Sequence, residues 1–109
     1  ALKGVVVDAG HGGSDPGAIS GNVYEKDFTL RAAKYIYDRL TQLGIPAVLT
    51  RDSDTSLPKN ERIQKVLDFY GADDDVIVVS NHINAGGGEF TYHYIVWLSI
   101  KTAVFMQYI

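Results

Sequence analysis

Residues 5–17 read VVVDAGHGGSDPG, an apolar run that passes directly into a glycine-rich loop around one histidine. The run opens with β-branched residues and shows no polar alternation, which is typical of a strand buried on both faces of a parallel sheet. His11 therefore follows the carboxyl end of a buried strand, where open α/β sheets place their ligand sites. The stretch predicts a parallel sheet with His11 as a candidate site residue at one edge.

The glycine spacing does not match the known phosphate-binding loops. Asp15 stands where the dinucleotide-binding pattern needs a glycine, and no Gly-Lys-Ser/Thr sequence follows. A single loop histidine is more often structural than functional. A functional site at His11 therefore requires further residues from elsewhere in the chain.

The composition limits the classes of function. The chain has 109 residues, enough for one small domain, of which 46% are hydrophobic and 21% charged. A net charge of −3 provides no basic surface for nucleic acid, so no nucleic-acid partner is expected. The sequence contains no cysteine, which leaves histidine and the carboxylates as the strong metal ligands.

A helix is predicted after the first loop. Apolar residues recur at three- and four-residue spacing from Phe28 to Leu43, and Gly44 ends the pattern. Glu25 belongs to the first turn, where negative charge suits the helix dipole. Glu25 is therefore either a helix-end charge or a carboxylate ligand whose position is fixed by the helix start.

Two further strands and a second helix follow. Residues 45–50 and 76–79 are short apolar runs that predict strands. The helix between them is predicted to have Ser56 as its N-cap and to end at Gly71. Arg62 on this helix is predicted to reach back to the preceding loop, with a solvated arginine as the alternative.

A second histidine, His82, follows the third predicted strand as His11 follows the first. Strands that alternate with helices pair in parallel through right-handed crossovers, so their carboxyl ends share one edge of the sheet. His11, His82 and Glu25 are expected to converge there. Two imidazoles and one carboxylate suit a zinc site with an open fourth position, the alternative being two unrelated loop histidines.

These elements predict an α/β fold with three layers. A mostly parallel, twisted sheet is flanked by helices, and the zinc site lies at the carboxyl ends of the strands.

The sequence resembles the zinc-dependent N-acetylmuramoyl-L-alanine amidases of the amidase-3 type, a family of cell-wall hydrolases. Four blocks carry the resemblance, in the family's order: residues 6–18, 25–27, 49–52 and 80–85. It implies that His11, Glu25 and His82 bind Zn²⁺. It also implies that a zinc-activated water hydrolyses the amide between N-acetylmuramic acid and the L-alanine of the stem peptide. Ala9 stands where the family usually has proline.

The resemblance also sets expectations for partners and location. Peptidoglycan is the expected partner, and the protein is expected to be a monomer that acts outside the cell or in the cell wall, as a bacterial autolysin or a phage lysin. Asn81 and Asn84 are candidates for hydrogen bonds to substrate at the rim of an open groove. Capping of the loop is the alternative for both.

The C-terminal part departs from the family, whose domains run on beyond this length. The single domain over residues 1–109 is therefore expected to be shortened after about residue 88. Residues 89–97 and 101–109 are each predicted as a strand, and the second resembles the family's late strand that leads to a catalytic glutamate. Gln107 occupies that position, but glutamine has no carboxylate that could accept a proton. Glu89 is a remote substitute.

Two alternatives to an active amidase stay open at this point. The chain could be a catalytically silent relative that binds peptidoglycan or a partner protein through the same groove. It could also be a shortened or inactivated form of an active enzyme.

The apolar character of residues 90–109 raises a further question, whether this stretch spans a membrane. Lys101 and His93 interrupt it and its beginning alternates, so no span is expected. His93 is left out of the ligand set because it lies in the middle of a predicted strand.

Overall fold

A computed structural model describes residues 2–71, 75–86 and 89–97, with side chains up to residue 83. The elements in chain order are β1 (Gly4–Ala9), β2 (Ile19–Ser20), β3 (Val23–Tyr24), α1 (Glu25–Gln42), β4 (Ala47–Leu49), α2 (Lys59–Tyr70), β5 (Val76–Gly86) and β6 (Glu89–Trp97).

The main sheet has the strand order β4-β1-β5-β6. Strand β1 pairs in parallel with β4 on one side and with β5 on the other, while β6 runs antiparallel to β5. The prediction of a mostly parallel sheet is confirmed. All six residues of β1 are buried, as the unbroken apolar run indicated.

The two helices cover opposite faces of this sheet. Val5 and Val7 belong to a core cluster with Ala33 of α1, whereas Val6 belongs to a second cluster with Val66 of α2. Successive residues of a strand point to opposite faces, so the consecutive valines of β1 supply both clusters. This arrangement confirms the predicted three layers.

Strand β5 is longer than predicted, because its last residues pair with β6. Its parallel pairing with β1 ends at the pair Ala9↔Asn81, and the antiparallel pairing with β6 continues to Gly86. His82 thus lies inside β5, one residue beyond the end of the parallel ladder. The predicted strand over residues 89–97 is confirmed by β6, in which His93 is the backbone partner of His82.

The prediction that Ser56 caps the second helix is wrong. Helix α2 begins at Lys59, its N-cap is Pro58, and no side chain caps it. The hydroxyl of Ser56 instead accepts a hydrogen bond of 2.9 Å from the backbone N–H of Ser14. The local pattern assigned this hydroxyl to the helix, but it binds a residue of the first loop that is distant in sequence.

The C-terminal predictions are tested only in part. The predicted strand over residues 101–109 lies outside the described residues. Among the helices of the described residues, none combines the length and the apolar character needed to cross a membrane.

Candidate metal centre

The fold brings His11, Glu25 and His82 together at one edge of the sheet. Each residue offers one ligand atom, and these atoms lie within 4.8 Å of one another. Nε2 of His11 is 3.1 Å from Oε2 of Glu25, and Nδ1 of His82 is 3.5 Å from the same oxygen. The convergence predicted from the three separate segments is therefore present.

Glu25 is fixed by its backbone position and by two amides. It is the first residue of α1, directly after the β2–β3 hairpin, and only 3% of its surface is exposed. Its Oε1 accepts the N–H of Ala18 at 2.9 Å, and its Oε2 accepts the N–H of Ile83 at 2.8 Å. The carboxylate thus links the first loop to β5 while Oε2 faces both imidazoles.

His11 has an unusual backbone conformation for a residue with a side chain. Its φ is 64°, in the left-handed region, and it is the only residue other than glycine with positive φ in the described part of the chain. Such a conformation persists only where the surroundings impose it, and it is frequent at functional sites.

Two buried arginines hold the backbone of this loop through its carbonyl oxygens. Arg51 donates to Ala9 at 3.1 Å and to Gly10 at 3.0 Å. Arg62 donates to Ala9 at 2.6 Å and to His11 at 2.9 Å. The loop is therefore positioned from beneath by fixed positive charges. Arg62 also donates to the carbonyl oxygen of Leu57 at 3.2 Å, which confirms the prediction that it reaches back to the loop before α2.

A fully buried carboxylate balances part of this charge. Asp8, at the end of β1, accepts from Arg62 at 2.6 Å, from the hydroxyl of Thr50 at 2.8 Å and from that of Ser80 at 2.6 Å. Asp8 thus connects β1 with β5 and with the residue that follows β4. Asp8 therefore ties the sheet edge together directly below the site.

Asp15 contacts His11 from the solvent side, and sequence reasoning missed it as a site residue. Its Oδ2 is 2.8 Å from Nδ1 of His11, and its Oδ1 accepts the N–H of Gly17 at 3.1 Å. Partial desolvation, the largest single cause, raises the pKa of Asp15, but these two hydrogen bonds and the charges of His11 and Arg62 together outweigh it, so the pKa is lowered. The four-residue spacing from His11 within one loop was the available signal.

Burial affects the ionisation of the second histidine. Desolvation is the main cause that lowers the pKa of His82 below 6.5, and the neighbouring His11 acts in the same direction. The lowered pKa favours the neutral imidazole, which is the form that binds metal ions.

The structure describes the remaining predicted site residues to different extents. Asn81 is fully buried in β5, and its Nδ2 donates to the backbone carbonyl of Asp8 in the neighbouring strand at 3.0 Å. Asn84 lies in β5 and Glu89 begins β6, in the part where only the backbone is described. Gln107 lies outside the described residues.

A cleft of about 280 Å³ opens over the two histidines. Both imidazoles line it, together with residues of the first loop and of the segment that leads into α2. The wall residues include Ser14, Ser56, Leu57 and Lys59.

Comparison with known proteins gives the same family in sequence and in structure. Residues 5–100 match the family described as Amidase_3, N-acetylmuramoyl-L-alanine amidase. The sporulation-specific N-acetylmuramoyl-L-alanine amidase of Bacillus subtilis (strain 168) is 38% identical over 93 residues, which cover 84% of this chain and 35% of that protein. The endolysin of Bacillus phage SPP1 is 41% identical over 97 residues, which cover 85% of this chain and 34% of that protein.

A solved structure shares the fold. The catalytic domain of CwlV, an N-acetylmuramoyl-L-alanine amidase from Bacillus (Paenibacillus) polymyxa var. colistinus, matches with a TM-score of 0.69 and 36% identity, covering 79% of this chain and 48% of that one. The chain spans two fifths or less of the length of the curated relatives named above. Because residues 5–100 match the family and a solved relative has the same fold, the chain belongs to the N-acetylmuramoyl-L-alanine amidase family.

Proposed function

We propose that the chain is the zinc-binding part of a peptidoglycan hydrolase, which cleaves the amide between N-acetylmuramic acid and the L-alanine of the stem peptide. The observation that carries the proposal is the convergence of His11, Glu25 and His82 within 4.8 Å, beside an open cleft that the two histidines line. Family membership supports the choice of substrate.

The donor set fits a zinc ion. Two imidazoles and one carboxylate are ligands that Zn²⁺ prefers, and three protein ligands leave one position for chemistry. When bound, Zn²⁺ lowers the pKa of a water molecule and polarises the scissile carbonyl. The buried carboxylate of Glu25 already faces both imidazoles through Oε2, and its backbone hydrogen bonds keep that oxygen in place.

The shape of the site suits a long substrate. The cleft is open, and 24% of the His11 side chain and 13% of the His82 side chain are accessible. A glycan that carries peptides can lie along such a groove, whereas an enclosed cavity would admit only a small molecule. We infer that the sugar and the stem peptide extend to either side of the two histidines.

Proton transfer to the departing amine needs a positioned carboxylate in addition to the three ligands. The resemblance assigns this role to the position of Gln107, with Glu89 as the remote substitute. Glutamine at that position favours a second candidate function, a catalytically silent domain that binds peptidoglycan or a partner protein through the same cleft.

We further propose that the protein acts as a monomer, outside the cell or in the cell wall. The relatives support this location, because they include a probable cell wall amidase of Staphylococcus aureus and a phage endolysin. Both bacterial and phage proteins are thus among the sequences similar to this chain.

The test is digestion of purified peptidoglycan with the zinc-reconstituted chain. Hydrolysis releases stem peptides with a free N-terminal alanine and leaves a carboxylic acid on the muramic acid, and mass spectrometry identifies both products. Glu61→Gln, an exposed carboxylate of α2, is the matched control for Glu25→Gln. Bound zinc and wall binding without these products would favour the silent domain.

A further inference from the structure

The contact between Asp15 and His11 has a chemical consequence for the metal site. A carboxylate without a proton can only accept a hydrogen bond, so the 2.8 Å contact requires that Nδ1 of His11 carries the hydrogen and donates it. In the neutral ring, Nε2 then carries the lone pair. Nε2 is the atom that lies 3.1 Å from Oε2 of Glu25, on the side of the candidate site.

Several groups contact His11. Arg62 holds the carbonyl oxygen of His11 at 2.9 Å from beneath the loop. The imidazole is about a quarter exposed and lies edge to face with the ring of His82, at a centroid distance of 5.1 Å. Its hydrogen bond to Asp15 is the polar contact that acts on Nδ1 from the side away from Glu25.

Both rings also pack closely against a glycine. An added Cβ on Gly10 would be 2.5 Å from Cε1 of His82, and an added Cβ on Gly17 would be 2.7 Å from Cδ2 of His11. This packing restricts the rings, but it does not decide which nitrogen of His11 carries the hydrogen. That choice depends on the hydrogen bond between Nδ1 and Asp15.

The loop is built to keep Asp15 in place. Residues Gly12 and Asp15 form a short antiparallel bridge, with N–H···O distances of 2.8 and 3.0 Å in the two directions. The second carboxylate oxygen of Asp15 accepts the N–H of Gly17. Both the backbone and the side chain of Asp15 are thus fixed relative to His11.

We propose that Asp15 is a positioning residue that selects the Nδ1–H tautomer of His11 and directs Nε2 toward the metal. This inference rests on the proposed zinc site. Outer carboxylates that orient a metal-binding histidine typically change metal affinity by about 10- to 100-fold when they are removed.

The experiment compares Asp15→Ala and Asp15→Asn with Asp54→Asn. Asp54 is the matched control because its carboxylate also supports the loop, accepting the N–H of Gly13 at 2.8 Å and pairing with Lys26 at 2.9 Å, but it does not touch His11. Two quantities are measured: Zn²⁺ affinity by competition with a chromophoric chelator, and the tautomer of His11 by ¹⁵N NMR of the metal-free chain.

Asp15→Ala should lower the Zn²⁺ affinity by about 10- to 100-fold and give a mixture of His11 tautomers. Asp15→Asn keeps an acceptor oxygen and should recover part of both properties, while Asp54→Asn should match the parent chain. Unchanged affinity in Asp15→Ala, or an Nδ1–H tautomer that persists in both Asp15 variants, would overturn the proposal.

The two readouts separate this inference from the proposed function. If the chain binds zinc but does not digest walls, both measurements on Asp15 stand. If Asp15→Ala does not fold, the measurements on Asp15→Asn decide. A mixture of His11 tautomers in this variant supports the proposal. A single unchanged tautomer together with unchanged Zn²⁺ affinity contradicts it.

Discussion

Arg62 Nη1 donates to Oδ1 of Asp8 at 2.6 Å, and the carboxylate that receives this hydrogen bond is completely buried. The same guanidinium group also holds the carbonyl oxygens of Ala9 and His11. One ion pair therefore supports both the sheet edge and the loop that carries the first histidine.

Arg62→Met should destabilise the chain by about 3–5 kcal/mol, because removing one member of a buried ion pair leaves the other charge without its partner. The measurement is the free energy of unfolding in urea. Arg39→Met is the control, since Arg39 is exposed at the end of α1 and its loss should change stability by no more than about 0.5 kcal/mol. A loss below about 1 kcal/mol in Arg62→Met would contradict the structural role.

Two glycines with left-handed backbone allow a matched test of the space around the site. Gly17 has φ 69° and Gly21 has φ 59°, so alanine at either position should cost about 1–2 kcal/mol in backbone strain. At Gly17 the new Cβ would lie 2.7 Å from Cδ2 of His11 and 2.8 Å from Cβ of Glu25, two of the proposed zinc ligands. At Gly21 no other atom lies within 4 Å of the new Cβ.

Gly17→Ala should therefore lower Zn²⁺ affinity by at least about tenfold, the range in which the supporting residues of metal sites act. Gly21→Ala should lose similar stability but retain the affinity of the parent chain. Equal Zn²⁺ affinities in the two variants would show that the close approach of Gly17 to His11 and Glu25 does not affect zinc binding.

Metal analysis of the reconstituted chain should find about one Zn²⁺ per molecule. His11→Ala and His82→Ala should lose this ion, and Glu61→Gln should keep it. Because the ion binds the folded state, free zinc at one hundred times its Kd should raise the free energy of unfolding by about 2.7 kcal/mol, and a chelator should reverse the gain. Unaltered binding in both histidine variants would refute the ligand assignment.

Gln107→Glu should raise peptidoglycan hydrolysis by about 10²- to 10⁴-fold, the usual contribution of a general acid–base group. Zinc affinity should stay the same, because Gln107 is not among the proposed ligands. Initial rates of stem-peptide release provide the measurement. If Gln107→Glu gives no gain and Glu89→Gln abolishes the existing activity, the base is Glu89 and the alignment of the last predicted strand is wrong.

The pKa of Asp54 should rise in Lys26→Met. In the parent chain the hydrogen bond from Lys26 is the main cause that lowers this pKa below 3.8, and the N–H of Gly13 adds to it. A lowered carboxyl pKa stabilises the fold above pH 3.8, and this contribution is lost as the pH falls through the lowered value. ¹³C NMR titration of the carboxyl group measures the change, with Lys34→Met as the control that should leave Asp54 unchanged.

The sequence was informative wherever a local pattern reflected the final environment. The uninterrupted valines of β1 indicated burial on both faces, and alternation of strands with helices was enough to place His11, Glu25 and His82 at one edge. The direction of the strands is enough to bring these three residues together, whatever the detailed packing of the side chains.

Contacts between distant segments could not be predicted in this way. Arg51 binds carbonyl oxygens 41 and 42 positions earlier in the chain, and no local pattern distinguishes it from a solvated arginine. Ser56 fitted the helix-cap pattern, yet its hydroxyl is used by Ser14, since a tertiary partner replaced the local one. The extent of β5 depends on β6, which the sequence around His82 does not reveal.

The position of β1 between β4 and β5 has a consequence for how the protein is made. Val5 pairs with Ala47 on one side and with Ile77 on the other, so a strand that leaves the ribosome early stays half-paired until β5 has been synthesised. At about 5–20 residues per second, this interval lasts for several seconds at most. During translation the growing chain thus presents an apolar, unpaired strand edge, which is the kind of surface that nascent-chain chaperones cover.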